Sequence, residues 1–294
     1  MFDKPEQLEI LHRFYAENDN YKVVPGHGDP DTVMVFFSSK GVFNENDFSD
    51  FEEKILKNDR YEWENLAKAP EIDRAAGSCI FVRDVRMEDY LNGISGTDCT
   101  VEKVAERLRQ LTAGKKRRIF CGSSMGGFAA ALLGTMLQVE AIFAFSGVAD
   151  LHTFNRFLSD TGTSEKDLTH HIGLLNEPDK APWADALLRL LPSYTGRLYW
   201  FFPNGSAYDV SQYELVKDFP AVRAFSVNRR EHGSTILVDS ILRVLSYPDK
   251  RTDALFEKYR GKRIDPVRFL LDTHGVIPGT VTLLRRIIRK KLHK

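Results

Sequence analysis

The sequence predicts an α/β fold, a doubly wound and mostly parallel sheet with helices on both faces. Short apolar runs alternate with helical stretches between residues 32 and 245. The runs are rich in β-branched and aromatic residues and are too short to be helices. Strands that helices cover on both faces have such continuous apolar sequences, because neither face is in contact with water. Sheets of this kind place their chemistry at the carboxyl ends of the strands.

Six apolar runs are the predicted strands: 32–37, 79–82, 118–121, 141–145, 197–202 and 221–227. Helical spacing of apolar residues predicts helices at 101–111, 126–137 and 235–245. Residues 150–196 interrupt the alternation with a polar stretch at 159–171 and a short amphipathic helix at 183–191. This helical insert between strands forms either a lid over the site or a pair of surface helices.

The composition excludes several classes of protein. Of the 294 residues, 43% are hydrophobic and 28% charged, as in ordinary globular proteins rather than disordered ones. No run approaches the roughly 18 apolar residues of a membrane helix, and the first 14 residues carry charges where a signal peptide needs an apolar stretch. Cys79, Cys99 and Cys121 lack metal-ligand spacing and are too few for a disulfide framework. We therefore expect a cytoplasmic protein with no metal and no cofactor.

The charges are unevenly distributed although Lys plus Arg and Asp plus Glu both number 41. Residues 251–294 contain 12 basic and 4 acidic residues, so residues 1–250 carry the compensating negative charge. We therefore divide the chain into a domain at 1–250 and a basic helical extension at 251–294. No nucleic-acid recognition motif accompanies the charge, so no nucleic-acid partner is expected.

The last 14 residues, 281–294, alternate apolar and basic pairs at helical spacing and contain no acid. This pattern suits peripheral contact with an anionic membrane. The alternative, which we favour from sequence, is a helix packed on the acidic body. Pro278-Gly279 is the predicted turn before it.

The motif Gly122-Ser123-Ser124-Met125-Gly126 has the pattern G-x-S-x-G and lies between a predicted strand and a predicted helix. A nucleophile on such a sharp turn has strained backbone, and small residues two positions before and after relieve the crowding. Ser124 is centred between the two glycines, so it is the predicted nucleophile. The alternative is a glycine-rich turn that only lets the helix pack close to the sheet.

In this context the sequence resembles the α/β-hydrolase superfamily over roughly residues 20–245. That family orders its catalytic residues as serine, acid and histidine. Asp209 follows the 197–202 strand, and His232 precedes a glycine after the 221–227 strand. The resemblance implies that Ser124 is the nucleophile, Asp209 the acid and His232 the base.

The resemblance also implies an oxyanion hole built from two backbone amides. One is the amide of Met125, the residue after the nucleophile. The other comes from the loop after the first long strand, where we choose Ser39. Many relatives have a His-Gly pair in that loop, whereas this chain has Phe37-Ser38-Ser39.

Other residues have competing interpretations. Asp150 follows the 141–145 strand and is the second candidate for the acid. Asp84 is predicted to be a helix cap or loop anchor rather than a substrate contact. The adjacent His170 and His171 are predicted to be solvated surface rather than metal ligands. Cys121 is predicted to be a small buried apolar residue.

The leading hypothesis from sequence is a serine hydrolase that cleaves an ester through an acyl-enzyme intermediate. The polar insert favours a small or carbohydrate-borne ester. Acyl transfer to a glycan hydroxyl is the first alternative, since the same three residues would serve it. The second alternative is a non-catalytic accessory module that binds a glycan or a partner protein.

Overall fold

The computed structural model describes residues 2, 4–153, 169, 172–233 and 235–292, the last four by their backbone alone. Eight strands form one sheet in the order β1-β3-β2-β4-β5-β6-β7-β8. β1 is antiparallel to β3, and every other neighbouring pair is parallel. The strands are β1 Tyr21–Pro25, β2 Thr32–Phe37, β3 Ser78–Val82, β4 Arg117–Ser123, β5 Ala141–Phe145, β6 Arg197–Pro203, β7 Val222–Val227 and β8 Arg263–Ile264.

Helical residues lie at 151–153 and 172–175, and twelve α-helices are described from end to end. They are α1 Pro5–Glu17, α2 Phe48–Phe51, α3 Glu64–Ala67, α4 Pro70–Asp73, α5 Val101–Leu111, α6 Met125–Met136, α7 Ala186–Leu190, α8 Ala207–Val216, α9 Val238–Ser246, α10 Asp249–Tyr259, α11 Pro266–His274 and α12 Val276–Leu292. A π-helical stretch, Glu52–Lys57, continues α2, and three 3₁₀ turns lie at Lys40–Val42, Ala181–Trp183 and Leu191–Ser193.

The predicted α/β class and all six predicted strands are confirmed. Two strands were missed, for different reasons. β1 is an edge strand that contains a lysine and ends in proline, so it has no continuous apolar run. β8 has only two residues, and no pattern can mark so short a strand.

The core divides between the two faces of the sheet, as period-two alternation requires. In β2, Val33, Val35 and Phe37 point into one cluster, whereas Met34 and Phe36 point into the other. The aromatic residues of β5, β6 and β7 stack across neighbouring strands on the second face, with ring centroids of Phe201 and Phe225 4.3 Å apart. Both faces are therefore sealed, and the ends of the strands are the part left open for chemistry.

The chain after residue 250 contributes to this sheet. β8 pairs with β7, and Phe269 of α11 is fully buried in the second cluster. Asp249 and Asp253 of α10 bind Arg197 of β6 at 3.2 and 2.9 Å. All six predicted strands precede residue 245, whereas β8 follows residue 250, so the sheet-forming part of the chain extends past residue 250.

The C-terminal helix begins earlier than predicted. Gly275, with φ of 84°, separates α11 from α12, and α12 runs through Pro278 and Gly279. Proline is tolerated in the first turn of a helix because the amide hydrogen it lacks has no intrahelical partner there. The predicted turn at Pro278-Gly279 is therefore wrong. Within the described residues no helix combines the length and apolar character needed to cross a bilayer.

Only part of the insert at 150–196 is described. Helix α7 in this insert is shorter than the predicted 183–191 and is flanked by two of the 3₁₀ turns. Most of the polar stretch 159–171, including His170 and His171, lies outside the described residues.

Candidate active site

Ser124 lies on the sharp turn between β4 and α6. Its backbone has φ of 52° and ψ of −119°, a conformation that non-glycine residues rarely adopt and that is concentrated at functional sites. The Ser124 amide donates to the carbonyl of Phe145 at 3.0 Å, and its carbonyl accepts from the amide of Phe128 at 3.0 Å. Neighbouring structure on both sides thus holds the strained residue in place.

The two glycines of the motif are required by close packing. A Cβ atom on Gly122 would lie 2.0 Å from the carbonyl oxygen of Gly126. A Cβ atom on Gly126 would lie 2.2 Å from the carbonyl oxygen of Phe37, at the end of β2. The glycines therefore let α6 approach the sheet closely, and the same approach fixes the turn that carries Ser124.

Ser124, His232 and Asp209 form a hydrogen-bonded chain. Ser124 Oγ lies 2.8 Å from His232 Nε2, and His232 Nδ1 lies 3.1 and 3.0 Å from the two carboxylate oxygens of Asp209. Asp209 is buried and His232 is partly exposed. The structure thus brings together three side chains that lie 85 and 23 residues apart in the sequence. A nucleophile, a base and an orienting carboxylate need this mutual geometry.

Asp209 is held by the start of α8 rather than by a loop. Ser206 is the N-cap, and its Oγ accepts from the Asp209 amide at 3.3 Å and donates to Asp209 Oδ2 at 2.5 Å. The spacing S-x-x-D is a capping-box signature that is visible in the sequence, whereas the prediction of Asp209 as the acid rested only on its position after the 197–202 strand. The helix terminus therefore fixes the carboxylate that orients His232.

Two further contacts position His232, and neither was predicted. Ser146 Oγ accepts from the amide of Gly233 at 3.0 Å and so anchors the loop after β7. The ring of Tyr208 meets the imidazole edge to face, with centroids 5.0 Å apart. Burial raises the pKa of Tyr208 well above its ordinary value, so its hydroxyl stays protonated. No local pattern marks Ser146, because its partner lies 87 residues away.

Asp150, the second candidate for the acid, has other partners. Its carboxylate accepts from the amides of His152 and Thr153 at 2.9 and 3.1 Å and so caps the residues that follow it. Its own amide donates to Gln212 Oε1 at 3.0 Å. The acid in contact with His232 is therefore Asp209.

Asp84 anchors a loop, as the sequence predicted. Its buried carboxylate accepts from the amides of Arg86, Glu88 and Tyr90 at 2.8–2.9 Å. Burial, with a smaller contribution from Glu88, raises the pKa of Asp84 to about 7. The loop places the Tyr90 hydroxyl 2.8 Å from the carbonyl oxygen of Ser38, so Asp84 indirectly supports the segment that contains Ser39.

The two candidate oxyanion donors differ in their surroundings. Met125 is the first residue of α6, and its amide has no acceptor in the part of the chain that the structure describes. The Ser39 amide donates to Glu62 Oε2 at 2.5 Å. A carboxylate of this chain therefore occupies the Ser39 amide, a contact across 23 residues that no sequence pattern signals.

A cavity of about 310 Å³ adjoins the site. Ser123 and Gly233, the neighbours of Ser124 and His232, line it together with Glu62, Trp63 and Phe145. Larger clefts, of about 360, 490 and 690 Å³, lie elsewhere and are lined neither by Ser124, His232 and Asp209 nor by their neighbours in the sequence. The cavity is small for a ligand pocket and mixes aromatic walls with one carboxylate.

The described residues contain no group of His, Cys, Asp and Glu side chains suited to hold a metal ion. Cys121 is buried in β4 close to the turn that carries Ser124, and burial raises the pKa of its thiol well above the ordinary value. A neutral thiol is a poor nucleophile, so Ser124 is the nucleophile candidate at this turn.

No protein-family model and no curated protein matches the chain. Solved structures do. A capsule O-acetyltransferase of Neisseria meningitidis serogroup A has a TM-score of 0.50 at 14% identity, over 82% of this chain and 93% of that chain. Esterase B from Lactobacillus rhamnosis has a TM-score of 0.49 at 10% identity, over 85% and 91%. A lipase-esterase related protein from Clostridium acetobutylicum has a TM-score of 0.44 at 13% identity, over 82% and 99%.

Identities this low speak only to the fold. Three observations indicate the same fold: the mostly parallel eight-stranded sheet, the strand–turn–helix at Ser124 and the similarity to the capsule O-acetyltransferase structure. The chain therefore has the α/β-hydrolase fold.

Proposed function

We propose that this chain is a serine hydrolase that cleaves an ester through an acyl-enzyme intermediate. The observation that carries the proposal is the hydrogen-bonded chain from Ser124 through His232 to Asp209, with Ser124 in a strained turn. A module that only binds a ligand would need neither of these two contacts.

In the proposed mechanism His232 Nε2 takes the proton of Ser124 Oγ as that oxygen attacks the ester carbonyl. Asp209 holds the imidazole with its Nδ1 proton directed at the carboxylate and stabilises the imidazolium. His232 then returns the proton to the departing alcohol, which leaves an acyl group on Ser124. Water, deprotonated by His232, attacks that acyl group, and His232 then gives the proton to Ser124 Oγ as the acid leaves.

The negative oxygen of each tetrahedral intermediate requires hydrogen-bond donors. The free amide of Met125 is one proposed donor. The amide of Ser39 is the other, and it becomes available when the Glu62 carboxylate moves away. Substrate binding at this edge therefore competes with a contact inside the chain.

The size of the cavity supports a small acyl group. Its volume of about 310 Å³ is at the lower end of the range for ligand pockets. The side chains of Trp63 and Phe145 supply apolar walls for such a group. We therefore propose a small ester, with a carbohydrate-borne ester as a specific class to test.

A fluorophosphonate probe tests the proposal, because it reacts with activated serines. We expect labelling of the wild type at Ser124, unchanged labelling of Ser123→Ala and none of Ser124→Ala. Ester turnover should fall by a factor on the order of 10³ in Ser124→Ala. A wild type that is folded but not labelled would refute the proposal and favour a binding module.

The same acyl-enzyme could pass its acyl group to a sugar hydroxyl instead of water. Turnover of a chromogenic ester in the presence of a soluble oligosaccharide separates the two reactions. Acylated sugar that increases with acceptor concentration would assign acyl transfer, whereas free acid alone assigns hydrolysis.

The free thiols of Cys79, Cys99 and Cys121 support our further proposal that the protein works in the cytoplasm.

A further inference from the structure

Helix α12 carries a row of large apolar side chains that the rest of the described chain does not cover. Ile277, Val281, Leu284 and Ile288 are 42–79% exposed. Their spacing of four, three and four residues places them on one face of the helix, over a length of about 17 Å. We call these four residues the α12 stripe.

The stripe points away from the body of the protein. The opposite face is fixed by Gly279, where a Cβ atom would lie 3.0 Å from the Leu271 side chain of α11. Arg286 Nη1 binds Asp239 at 2.8 Å on the same inner face. At about 100° per residue, every stripe residue lies within about 40° of the direction opposite Gly279. The packing that holds α12 on α11 therefore leaves the stripe facing outward.

Positive charge accompanies the stripe. Residues 276–294 include Arg285, Arg286, Arg289, Lys290, Lys291 and Lys294 and no acidic residue. By helical position Arg285 flanks the stripe on one side. An outward apolar face bordered by basic residues is the pattern of a helix that lies in the plane of a membrane surface.

We propose that α12 docks the protein on an anionic lipid surface, with the stripe inserted at the level of the headgroups and basic residues other than Arg286 on lipid phosphates. The charge of the helix favours a lipid surface over a second copy of the chain as the partner. A second copy of the helix would bring like charges together with no acidic partner in residues 276–294, whereas anionic headgroups attract each basic residue. The proposal concerns the location of the protein and is independent of the proposed reaction.

Co-sedimentation with vesicles tests this on the full-length protein. Wild type should bind vesicles of phosphatidylcholine mixed with phosphatidylserine, and should bind phosphatidylcholine vesicles much more weakly. Binding should fall in about 1 M salt, since salt screens the headgroup charge. The stripe variant Val281→Ser/Leu284→Ser/Ile288→Ser should lose most of the binding, because it removes the inserted surface.

Two control variants match these changes elsewhere on the surface. Val23→Ser/Leu56→Ser/Val267→Ser removes three other exposed apolar side chains and should bind like wild type. Neutralising two basic residues with Arg285→Gln/Lys291→Gln should lower the partition coefficient roughly 30-fold. Lys4→Gln/Lys68→Gln makes the same change in net charge at exposed lysines elsewhere in the chain and should lower it far less.

Absence of binding to the mixed vesicles would overturn the proposal, and so would equal binding by the stripe variant. A dimer in sedimentation equilibrium that the stripe variant abolishes, without vesicle binding, would assign the stripe to a second copy instead. Melting curves of all variants show whether each remains folded. Ester turnover on a soluble substrate should be unchanged in the stripe variant, which separates this proposal from the proposed reaction.

Discussion

At the scale of single residues, Asp209 and Asp150 both follow strands, but only the carboxylate of Asp209 contacts His232 among the described contacts. Asp209→Asn should lower ester turnover by about 10³–10⁴-fold, because the amide no longer holds the required tautomer or stabilises the imidazolium. Asp150→Asn, whose carboxylate caps residues 152 and 153, should stay within about tenfold of wild type. Steady-state kinetics of the two variants decide, and equal losses would contradict the assignment.

Glu62 is the residue whose role depends most on the structure. Its carboxylate holds the Ser39 amide and brings negative charge to the place where a negative oxygen would form. Glu62→Ala should therefore raise kcat/KM, by up to about tenfold. Glu64→Ala is the matched control, because Glu64 lies in the next helix and pairs with Lys22. A fall in kcat/KM for Glu62→Ala alone would instead mean that the carboxylate contacts the substrate.

At the scale of elements, the start of α8 combines helix capping with the orientation of the acid. Ser206→Ala removes the N-cap and the hydrogen bond to Asp209 Oδ2, so it should cost about 1 kcal/mol of stability and also lower turnover. Asp265→Ala removes the N-cap of α11, far along the chain from the three catalytic candidates. It should cost similar stability with unchanged turnover. Denaturant unfolding and kinetics on both variants measure the difference.

The end of α11 carries a histidine that makes stability depend on pH. Burial, aided by the positive charge of Arg243, lowers the pKa of His274 below its ordinary value of 6.5. The unfolded chain therefore binds this proton more readily, so stability should be lost as pH falls below about 6.5. In His274→Gln this loss should be smaller. Unfolding free energies at about pH 5.5 and 7.5 test it, and equal pH dependence in both proteins would contradict it.

At the scale of the whole molecule, the chain after residue 250 contains two parts with different roles. β8 and α11 complete the sheet and the second core cluster, whereas α12 packs through one face only. A chain that ends at Gly275 should keep its turnover on a soluble ester with a modest fall in melting temperature. A chain that ends at Lys262 should fail to fold, because it exposes Phe225 and Val227.

Measuring melting temperature and turnover on both truncated chains tests this division. Full stability of the shorter chain would contradict it, and so would loss of activity at unchanged stability in the longer one. The latter result would mean that α12 contributes to the active site.

Much of this molecule can be predicted from local pattern. The six main strands are largely apolar because helices cover both faces of the sheet, so they can be predicted without knowledge of their neighbours. Ser124 can be predicted for a similar reason, since Gly122 relieves crowding against Gly126 within five residues, although Gly126 itself is required by its contact with Phe37 of β2. Strand order then places Asp209 and His232 at the same edge of the sheet.

Tertiary structure alone decided the features that depend on residues distant in the chain. β8 is a strand only because β7 lies beside it, and Asp209 rather than Asp150 meets His232 because the loop after β7 is anchored on Ser146. The occupation of the Ser39 amide by Glu62 and the outward face of α12 have the same origin. A sequence determines which surfaces are apolar or charged over short distances. Which of those surfaces meet is set by the packing of the whole chain, because the partners of a hydrogen bond or an apolar face are chosen across many residues.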